Sequence, residues 1–477
     1  MRLSHTLGRT SAAFDDPNLV SSGGLVPVLA LAESAGLRDL ADEHLSVPTD
    51  KGANAGLKVA SLVGGMVAGA DSIDDMAVLR HGGMGRVFAR AYAPSTLGSF
   101  LRAFTFGHVR QLDAIASRFL IALAGLTGLL GTRSGLGAVN TGDGRYALLD
   151  VDDTIIEVHG HAKQGAGFGY SGVRGLNALL ATLATATSAP VIVGQRLRKG
   201  STGSPRGAKR LVGDAVRTTR RLLGATQPVL VRMDSAFYGR GPVHAALKGG
   251  AAVSVTVRMD NAVKKAVATI PEGAWTTIEY TDAVFDEATG RWVSRAEVAE
   301  VDFTAFSAQR KAEQVPGRLV VRRIPDFNAE ARRAAGQDTL FDVWCFHAFF
   351  TTADPEMVDT VAADKTHRHH AVIEQVHADL KSAALAHLPS GVFTANASWL
   401  VLAVIAFNLA RAAGTVAAPD LARATTATIR RKLITVPARV ASSARRITLH
   451  LPKAWPWETA WTALFNRVSD PPPIHAA

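Results

Sequence analysis

Two apolar stretches that each end in a carboxylate decide how this chain folds. They are ALLDVDDT, at Ala147–Thr154, and PVLVRMDS, at Pro228–Ser235. Both runs are short and rich in Val and Leu, which is typical of strands buried inside a sheet. Where two such strands are neighbours, their carboxyl ends meet at the crevice in which α/β sheets bind ligands. The two stretches therefore predict that Asp152 and Asp234 lie close together at one end of a sheet.

The segments around these stretches alternate between strands and helices. APVIVGQRL (Ala189–Leu197) is a further strand rich in Val and Ile, and KQGAGFGYSGVRG (Lys163–Gly175) has the glycine content of a hairpin or loop. SPRGAKRLVGDAVRTTRRLLG (Ser204–Gly224) is a basic amphipathic helix, with Ser204 as its predicted cap and Pro205 in its first turn. This order of elements predicts an α/β fold.

Changes in pattern along the chain divide it into five predicted regions. Helical periodicity runs from Gly24 to Leu130, and alternating residues between 261 and 353 predict an antiparallel β insertion. Helices resume after the insertion, so the C-terminal region is predicted to be helical. We predict an all-α N-terminal domain at 1–140, a first core segment at 141–260, the β insertion at 261–353, a second core segment with the Glu374 helix at 354–415, and a basic C-terminal tail at 416–477. The basic residues of the N-terminal helices form either a solvated face or, if a later site requires DNA, a DNA-binding domain.

The composition indicates a large core and an anionic partner. Hydrophobic residues make up 47% of the 477 residues, which excludes a wholly disordered chain. Lys and Arg number 52 against 41 Asp and Glu, and the net charge of +11 favours nucleic acid before an acidic membrane surface. The single cysteine, Cys345, excludes an internal disulfide and a cysteine-based zinc cluster, as expected in a reducing compartment.

The apolar stretches of the sequence also predict where the protein works. Its first residues lack the apolar segment of a secretory signal. The longest apolar stretches, near Phe119–Leu130 and Trp399–Ala410, are shorter or more interrupted than the roughly 20 residues that span a bilayer. We therefore expect a cytoplasmic protein with no membrane partner.

The carboxylates of the first strand indicate metal-ion chemistry. Because a strand alternates faces, Asp150 and Asp152 share one face while Asp153 points to the other. Acids that converge with Asp234 repel one another unless cations compensate their charge. Two Mg²⁺ ions, or Mn²⁺ in their place, would do so and would hold the attacking and leaving oxygens of a phosphodiester. A local role, in which Asp150 or Asp153 only caps a turn, is the alternative.

Six stretches spread over nearly the whole chain carry a family resemblance. Three begin at Leu148, Val229 and His367, and read LLDVDDTIIEVHGHAKQGAGFGY, VLVRMDSAFYG and HRHHAVIEQVHADLKSAALAHLPSGVFTANASWLVLAVIAFNLAR. The others are GADSIDDMAVLRHGG and APSTLGSFLRAFTFGHVRQLD near the N-terminus and LHLPKAWPWETAW near the end. Together they resemble a DDE transposase of the insertion-sequence 1380 family, in the insertion-sequence 4-like group.

The resemblance implies an RNase H-like catalytic core with a β insertion before the glutamate helix. It implies Asp152, Asp234 and Glu374 as catalytic residues that bind Mg²⁺, with Mn²⁺ as a substitute. Asp152 is preferred to Asp150 because it stands two residues before Thr154, where the first acid of the family falls. Asp150 stays open as the alternative first acid.

The resemblance also implies a cut-and-paste DNA transposase. Such an enzyme binds double-stranded DNA at terminal inverted repeats, cleaves it and transfers the freed 3′ ends to target DNA. A dimer on the two transposon ends and association with the bacterial nucleoid are expected. The intact set of three acids argues against a transposase-derived DNA-binding protein without chemistry, and a non-transposing metal-dependent nuclease is a third interpretation.

Basic residues near these acids are candidates for DNA contact. RLRKGSTGSPRGAKR (Arg196–Arg210) follows a core strand directly and carries six Arg or Lys residues. In the wider transposase group, a Tyr and an Arg precede the glutamate and a Lys follows it. Lys381 matches that Lys, whereas His367 and His370 replace the Tyr and the Arg, and an imidazole is a weaker, pH-dependent phosphate donor. The predicted DNA-binding residues are Arg206, Lys209, Arg210, His370 and Lys381.

Two motifs have competing interpretations. His370, Glu374 and His377 share one face of a predicted helix at a spacing that suits zinc, but their order is not the HExxH of metalloproteases. GAGFGY (Gly165–Tyr170) resembles a dinucleotide-binding loop, yet no amphipathic helix begins directly after it. We expect this glycine loop beside the active site, where glycines let the DNA backbone approach closely.

Overall fold

The computed structural model describes residues 1, 4–48, 50–131, 146–286, 291–325, 344–443 and 446–469. Within this part of the chain, helices and a large mixed sheet form an α/β fold, as the sequence predicts.

The N-terminal part of the chain is mainly helical. It contains β1 (Leu19–Val20), α1 (Leu25–Ser34), α2 (Leu37–His44), α3 (Ala55–Ala68), α4 (Met84–Val87), α5 (Pro94–Arg102) and α6 (Phe106–Thr127). Helix α6 begins with a capping box, in which His108 Nδ1 accepts a hydrogen bond from the Thr105 N–H at 3.0 Å. The prediction of an all-α N-terminal domain is wrong at one place, because β1 pairs with residues 438–439 of the C-terminal region.

The central part of the chain forms one half of the large sheet, with two helices. Its elements are β2 (Ala147–Glu157), β3 (Gly167–Phe168), β4 (Arg174–Ala184), β5 (Val191–Lys199), α7 (Ala208–Leu223), β6 (Val229–Met233), α8 (Arg240–Lys248) and β7 (Ala252–Thr256). The strand order is β5-β4-β2-β6-β7. Strand β4 is antiparallel to β2 and to β5, whereas β2, β6 and β7 run parallel. The two acid-bearing stretches are therefore neighbouring parallel strands, as the sequence predicts.

The predicted β insertion extends this same sheet. It contains α9 (Asn261–Ala268), β8 (Thr276–Asp286), β9 (Arg291–Ala305), β10 (Val315–Pro325) and β11 (Trp344–Thr351). The four strands are antiparallel to one another, and β11 pairs with β7, with Phe350 opposite Val255. Hydrogen bonds across this junction fix the insertion to the edge of the central strands.

The C-terminal part of the chain combines helices with a small sheet. It contains α10 (Thr360–Arg368), α11 (Val372–Lys381), α12 (Phe393–Ala417), α13 (Thr426–Ile429), β12 (Ala438–Ser443), β13 (Arg446–His450) and α14 (Glu458–Ser469). The prediction of a helical C-terminal region is incomplete, because β1, β12 and β13 form a three-stranded sheet. This sheet ties the tail to the N-terminal helices.

Helix α12 is the apolar centre of the molecule. It has 25 residues, which exceeds the predicted apolar stretch, and it is the one described helix long and apolar enough to cross a membrane by length and composition alone. However, 89% of its most apolar window is buried inside the protein. The Asn408 side chain exchanges two hydrogen bonds of 2.9 Å with the backbone of Ile192 in β5. These contacts are those of a core helix.

One hydrophobic core joins the predicted regions. Its buried side chains include Leu62 in α3, Phe119 in α6, Leu180 in β4, Trp399 in α12 and Val440 in β12. Trp399 is fully buried, and its indole N–H donates to the Ala384 carbonyl at 2.6 Å. The acid-bearing strands are thereby supported from the N-terminal helices and from the C-terminal helices at once.

Candidate active site

Asp152 and Asp234 occupy adjacent positions on two parallel strands. The pairing of β2 with β6 ends with Val151 beside Met233, and each acid is the next residue of its chain. Asp152 Oδ1 accepts a hydrogen bond from the Asp153 N–H at 2.7 Å. Asp234 Oδ1 accepts one from the Ala236 N–H at 3.1 Å and caps a short helical turn. The structure thus brings together two of the three predicted acids.

Both of these acids have raised pKa values. Burial is the largest cause for Asp152, whose pKa rises to about 6; the Asp153 N–H and His370 oppose the rise, and the negative charge of Asp234 adds to it. Burial also raises the pKa of Asp234, with His370 opposing. Two carboxylates in this position resist simultaneous ionisation unless a cation compensates their charge.

The negative charge of Asp150 is compensated by the guanidinium group of Arg232. Arg232 donates to both of its carboxylate oxygens, at 2.6 and 2.7 Å, and each of these two side chains is only 1% exposed. His370 Nδ1 lies 3.0 Å from Asp150 Oδ1. Burial acts to raise the pKa of Asp150, but the charge of Arg232 and the hydrogen bond with His370 outweigh it, so the pKa is lowered. Asp150 therefore serves the packing of β2 against β6 and α10.

Asp153 faces the other side of the sheet, as strand alternation predicts. It forms a buried ion pair with Arg198 of β5. The Arg198 guanidinium also donates to the carbonyl oxygens of Ser204 and Arg206, both at 2.8 Å. These contacts hold the backbone after β5 in a loop, so α7 begins at Ala208 and the predicted start at Ser204 and Pro205 is wrong.

Glu374 does not join the two aspartates. Helix α11 buries Ile373, Val376 and His377, which turns the Glu374 side chain outward, where it is exposed. Among the described residues, there is no group of three or more His, Cys, Asp or Glu side chains that could hold a metal ion. The structure thus brings together Asp152 and Asp234 of the three predicted acids, and among the described residues His370, Glu374 and His377 do not form a group that could hold zinc.

His367 belongs to the core. Its ring stacks on Phe349 at 4.2 Å between centroids, and its two nitrogens lie 2.8 and 2.9 Å from the hydroxyl oxygens of Ser254 and Thr256. Burial lowers its pKa well below the usual value, and the nearby guanidinium groups of Arg232 and Arg368 lower it further. His367 is therefore neutral at pH 7, and its nitrogens are occupied by the sheet.

His377 and Lys381 approach Asp152 from helix α11. His377 Nδ1 lies 3.7 Å from Asp152 Oδ2, and its buried Nε2 has no hydrogen-bond partner among the described residues. Burial lowers the pKa of His377 to about 3, with Lys381 and His370 adding to the effect. Burial lowers the pKa of Lys381 as well, and the charge of Asp152 opposes this shift. Lys381, a predicted DNA-binding residue, thus lies close enough to Asp152 for the charge of this acid to affect its pKa.

The glycine loop lies beside the acids, as predicted. Partial burial raises the pKa of Tyr170 in this loop, and the negative charges of Asp153, Asp152 and Asp234 raise it further. One glycine of the loop is also required by the protein itself. A Cβ on Gly169 would meet the Gly200 carbonyl oxygen at 2.8 Å, so this glycine allows two backbones of the protein to pack together.

The other predicted DNA-binding residues differ in their surroundings. Arg206, Lys209 and Arg210 are exposed at the start of α7. His370 is mostly buried, and its Nδ1 lies 3.0 Å from Asp150 Oδ1, next to the two aspartates. Sequence analysis misses Arg232 and Arg198, although a lone Arg inside VLVRM is a signal, because a charge in a buried strand requires a partner.

The oxygen ligands that Asp152 and Asp234 offer are of the kind that a divalent cation such as Mg²⁺ binds. Mg²⁺ prefers a few carboxylate oxygens with water in the remaining positions, and Asp152 and Asp234 supply two such side chains. Asp152 retains 23% of its side-chain surface, so water reaches it. Arg232 and Arg198 form ion pairs with Asp150 and Asp153, whereas no Lys or Arg of the described residues forms a close ion pair with Asp152 or Asp234.

Comparisons with known proteins identify the family of this chain. A comparison with curated proteins finds no significant match. The family model described as transposase DDE domain group 1 matches residues 7–472. Because that match covers nearly the whole chain, the protein belongs to this family of DDE transposases.

Proposed function

We propose that the protein is a cut-and-paste DNA transposase, similar to the insertion-sequence 1380 family, that binds terminal inverted repeats. It cleaves strands at the element's ends and transfers them to target DNA. The observation that carries this proposal is the pair formed by Asp152 and Asp234, whose pKa values are both raised at neighbouring strand ends. Two neighbouring, partly desolvated carboxylates are the kind of ligands that a metal-dependent phosphodiester reaction uses.

The central strands are the proposed RNase H-like core. Three antiparallel strands, β2, β4 and β5, are followed by the parallel strands β6 and β7, with helices α7 and α8 between them. Asp152 and Asp234 lie where parallel strands of an α/β sheet place ligands. The β insertion then separates β7 from the Glu374 helix in sequence.

Asp152 and Asp234 are the proposed metal ligands, and Glu374 is the proposed third acid. Bound Mg²⁺, or Mn²⁺, would activate water and stabilise charge on the phosphate. His370, positioned by its contact with Asp150, lies beside both aspartates, and Lys381 presents an amine near Asp152. Glu374 is exposed on the first turn of α11, so its participation requires a different position of this side chain or helix in the complex with DNA.

Double-stranded DNA is the proposed partner. The net charge of +11 and the exposed Arg206, Lys209 and Arg210 supply the electrostatic attraction. A dimer on the two transposon ends, in the cytoplasm and at the nucleoid of a bacterium, is part of the same proposal.

The exposure of Glu374 favours a second candidate, a transposase-derived DNA-binding protein without chemistry. Cleavage of a labelled transposon end by the purified protein with Mg²⁺ distinguishes the two. Strand cleavage at the element's end supports the transposase, whereas binding without cleavage supports the second candidate. Cleavage without subsequent transfer to target DNA would indicate a non-transposing nuclease.

A further inference from the structure

An arginine-lined cleft lies at the outer edge of β5. Gln195 Nε2 donates to Asp113 Oδ1 of α6 at 2.8 Å, whereas a Cβ on the preceding Gly194 would meet Leu211 of α7. Because successive strand residues point to opposite faces, α6 and α7 flank this edge from opposite sides of the sheet. Between them lies a cleft of about 210 Å³.

The cleft has more arginines than its acids can neutralise. It is lined by Arg110, Arg118, Arg196, Arg217, Arg221, Asp113 and Asp214. The Asp214 carboxylate is shared by four arginines: Arg217 at 2.9 Å, Arg110 at 3.2 Å, and Arg210 and Arg196 at 3.8 and 3.9 Å. Each shared contact leaves part of the positive charge without a counter-charge.

Three of these arginines have guanidinium groups with hydrogen-bonding or charge capacity that an added anion could use. Arg118 and Arg221 are exposed, and neither makes an ion pair within the part of the chain that the structure describes. The buried Nε of Arg196 has no hydrogen-bond partner among those residues. Burial lowers the pKa of Arg196, and the positive charge of Arg110 lowers it further. An anion in the cleft would relieve this crowding of like charges.

We propose that this cleft binds the sugar–phosphate backbone of the DNA duplex on which the enzyme acts, outside the active site. The inference rests on the proposed function. Arg210, Arg217 and Arg221 repeat at steps of seven and four residues, so they lie on one face of α7 over roughly 16 Å. Successive phosphates of a strand advance about 3.4 Å along the duplex, so this row matches several phosphates. Guanidinium groups bind phosphate through paired hydrogen bonds.

The cleft is near enough to the acids for one duplex to contact both. Asp152 pairs with Leu180 of β4, and Leu180 pairs with Gln195 of β5. Neighbouring strands are about 4.8 Å apart, so the row of Gln195 lies roughly 10 Å across the sheet from that of Asp152. At the start of α7, Arg210 of this row is exposed together with Arg206 and Lys209.

The salt dependence of DNA binding tests the proposal. The full-length protein and the variant Arg118→Gln/Arg221→Gln are titrated with a mixed-sequence DNA duplex at several salt concentrations. Each lost phosphate contact lowers the slope of log affinity against log salt by about 0.9, so the double variant should lower it by about 2. Arg118→Lys/Arg221→Lys keeps both charges and should keep the slope.

The matched control removes two exposed cations from the opposite end of the sheet, in Arg310→Gln/Lys311→Gln, and should keep the parent's slope. If the Arg118→Gln/Arg221→Gln protein keeps the parent's salt slope, the proposal that this cleft binds DNA is refuted. The proposed function is then unaffected, because the parent still binds DNA. An equal loss in the control also refutes DNA binding by the cleft, since the effect would then be general. A parent protein that binds DNA without salt dependence would instead contradict the proposed function itself.

Discussion

Arg232 binds both carboxylate oxygens of Asp150, through Nε at 2.6 Å and Nη2 at 2.7 Å, in a pair that is almost completely buried. The two residues face each other across the parallel strands β2 and β6. Asp152 is two residues further along the same face, but its pKa is raised where that of Asp150 is lowered. The two acids therefore have opposite electrostatic surroundings, and substitutions should separate their roles.

Asp150→Asn should destabilise the protein, whereas Asp152→Asn should not. The first change leaves the buried Arg232 without its counter-charge, which costs about 3–5 kcal/mol of unfolding free energy. The second removes a carboxylate that burial disfavours in its charged form. Urea unfolding at pH 7 without divalent metal measures both. Equal stability of the two variants would contradict this division of roles.

Asp234→Asn should abolish strand cleavage and leave DNA affinity largely intact. The amide keeps the size of the side chain but cannot balance the charge of a divalent cation, so we expect a loss of about a hundredfold or more in rate. Cleavage and binding of the same labelled transposon end give the two readouts.

A matched control for this variant is Asp260→Asn. Asp260 lies four residues after β7 and, like Asp234, caps a helical turn: its side chain accepts hydrogen bonds from the N–H groups of Ala262 and Val263. Asn is an equally good helix cap, so the control should cleave normally. Cleavage by the Asp234→Asn protein at a rate near the parent's would refute the catalytic assignment.

The charge of Asp152 should make stability depend on pH and on Mg²⁺. Its pKa is about 6 in the folded protein and near the usual 3.8 in the unfolded chain. The folded state therefore holds the proton more tightly, and the resulting stability is present below about pH 4 and lost as the pH rises through 6. The unfolding free energy of the parent relative to Asp152→Asn should fall over this range.

Mg²⁺ added at pH 7 should restore stability to the parent, by about 2.7 kcal/mol at a hundred times its dissociation constant. Asp234→Asn should show little of this gain, because one of the two carboxylates is missing. Denaturant curves between pH 4 and 7, with and without Mg²⁺, check both statements. A stability difference that stays flat with pH would count against the raised pKa.

The triple variant Arg206→Ala/Lys209→Ala/Arg210→Ala should weaken DNA binding before it affects the chemical step. Three exposed charges are removed, so the salt slope should fall by about 3. The cleavage rate at saturating protein should stay near the parent's. As a comparison, Lys264, Lys265 and Lys311 are three exposed cations of the β insertion, and their replacement by Ala should leave the slope higher than in the triple variant.

The sequence by itself determined the central strands and the adjacency of Asp152 and Asp234, but not the start of α7 or the small sheet of β1, β12 and β13. Strand periodicity is a local property, and parallel strands of an α/β sheet present their carboxyl ends together. The same periodicity placed Asp153 on the opposite face. The antiparallel insertion and the exposed basic residues near the start of α7 followed from residue alternation and charge in the same way.

Only the tertiary structure decided which charges are compensated. The partners of Asp150 and Asp153 are 82 and 45 residues away, and no local pattern encodes such a pairing. The outward direction of Glu374 depends on which face of α11 packs on the sheet. The crowding of arginines around Asp214 depends on α6 lying opposite α7, with Arg110 reaching across 104 residues of sequence. Long-range packing sets these relationships, because burial and charge proximity are properties of the assembled core.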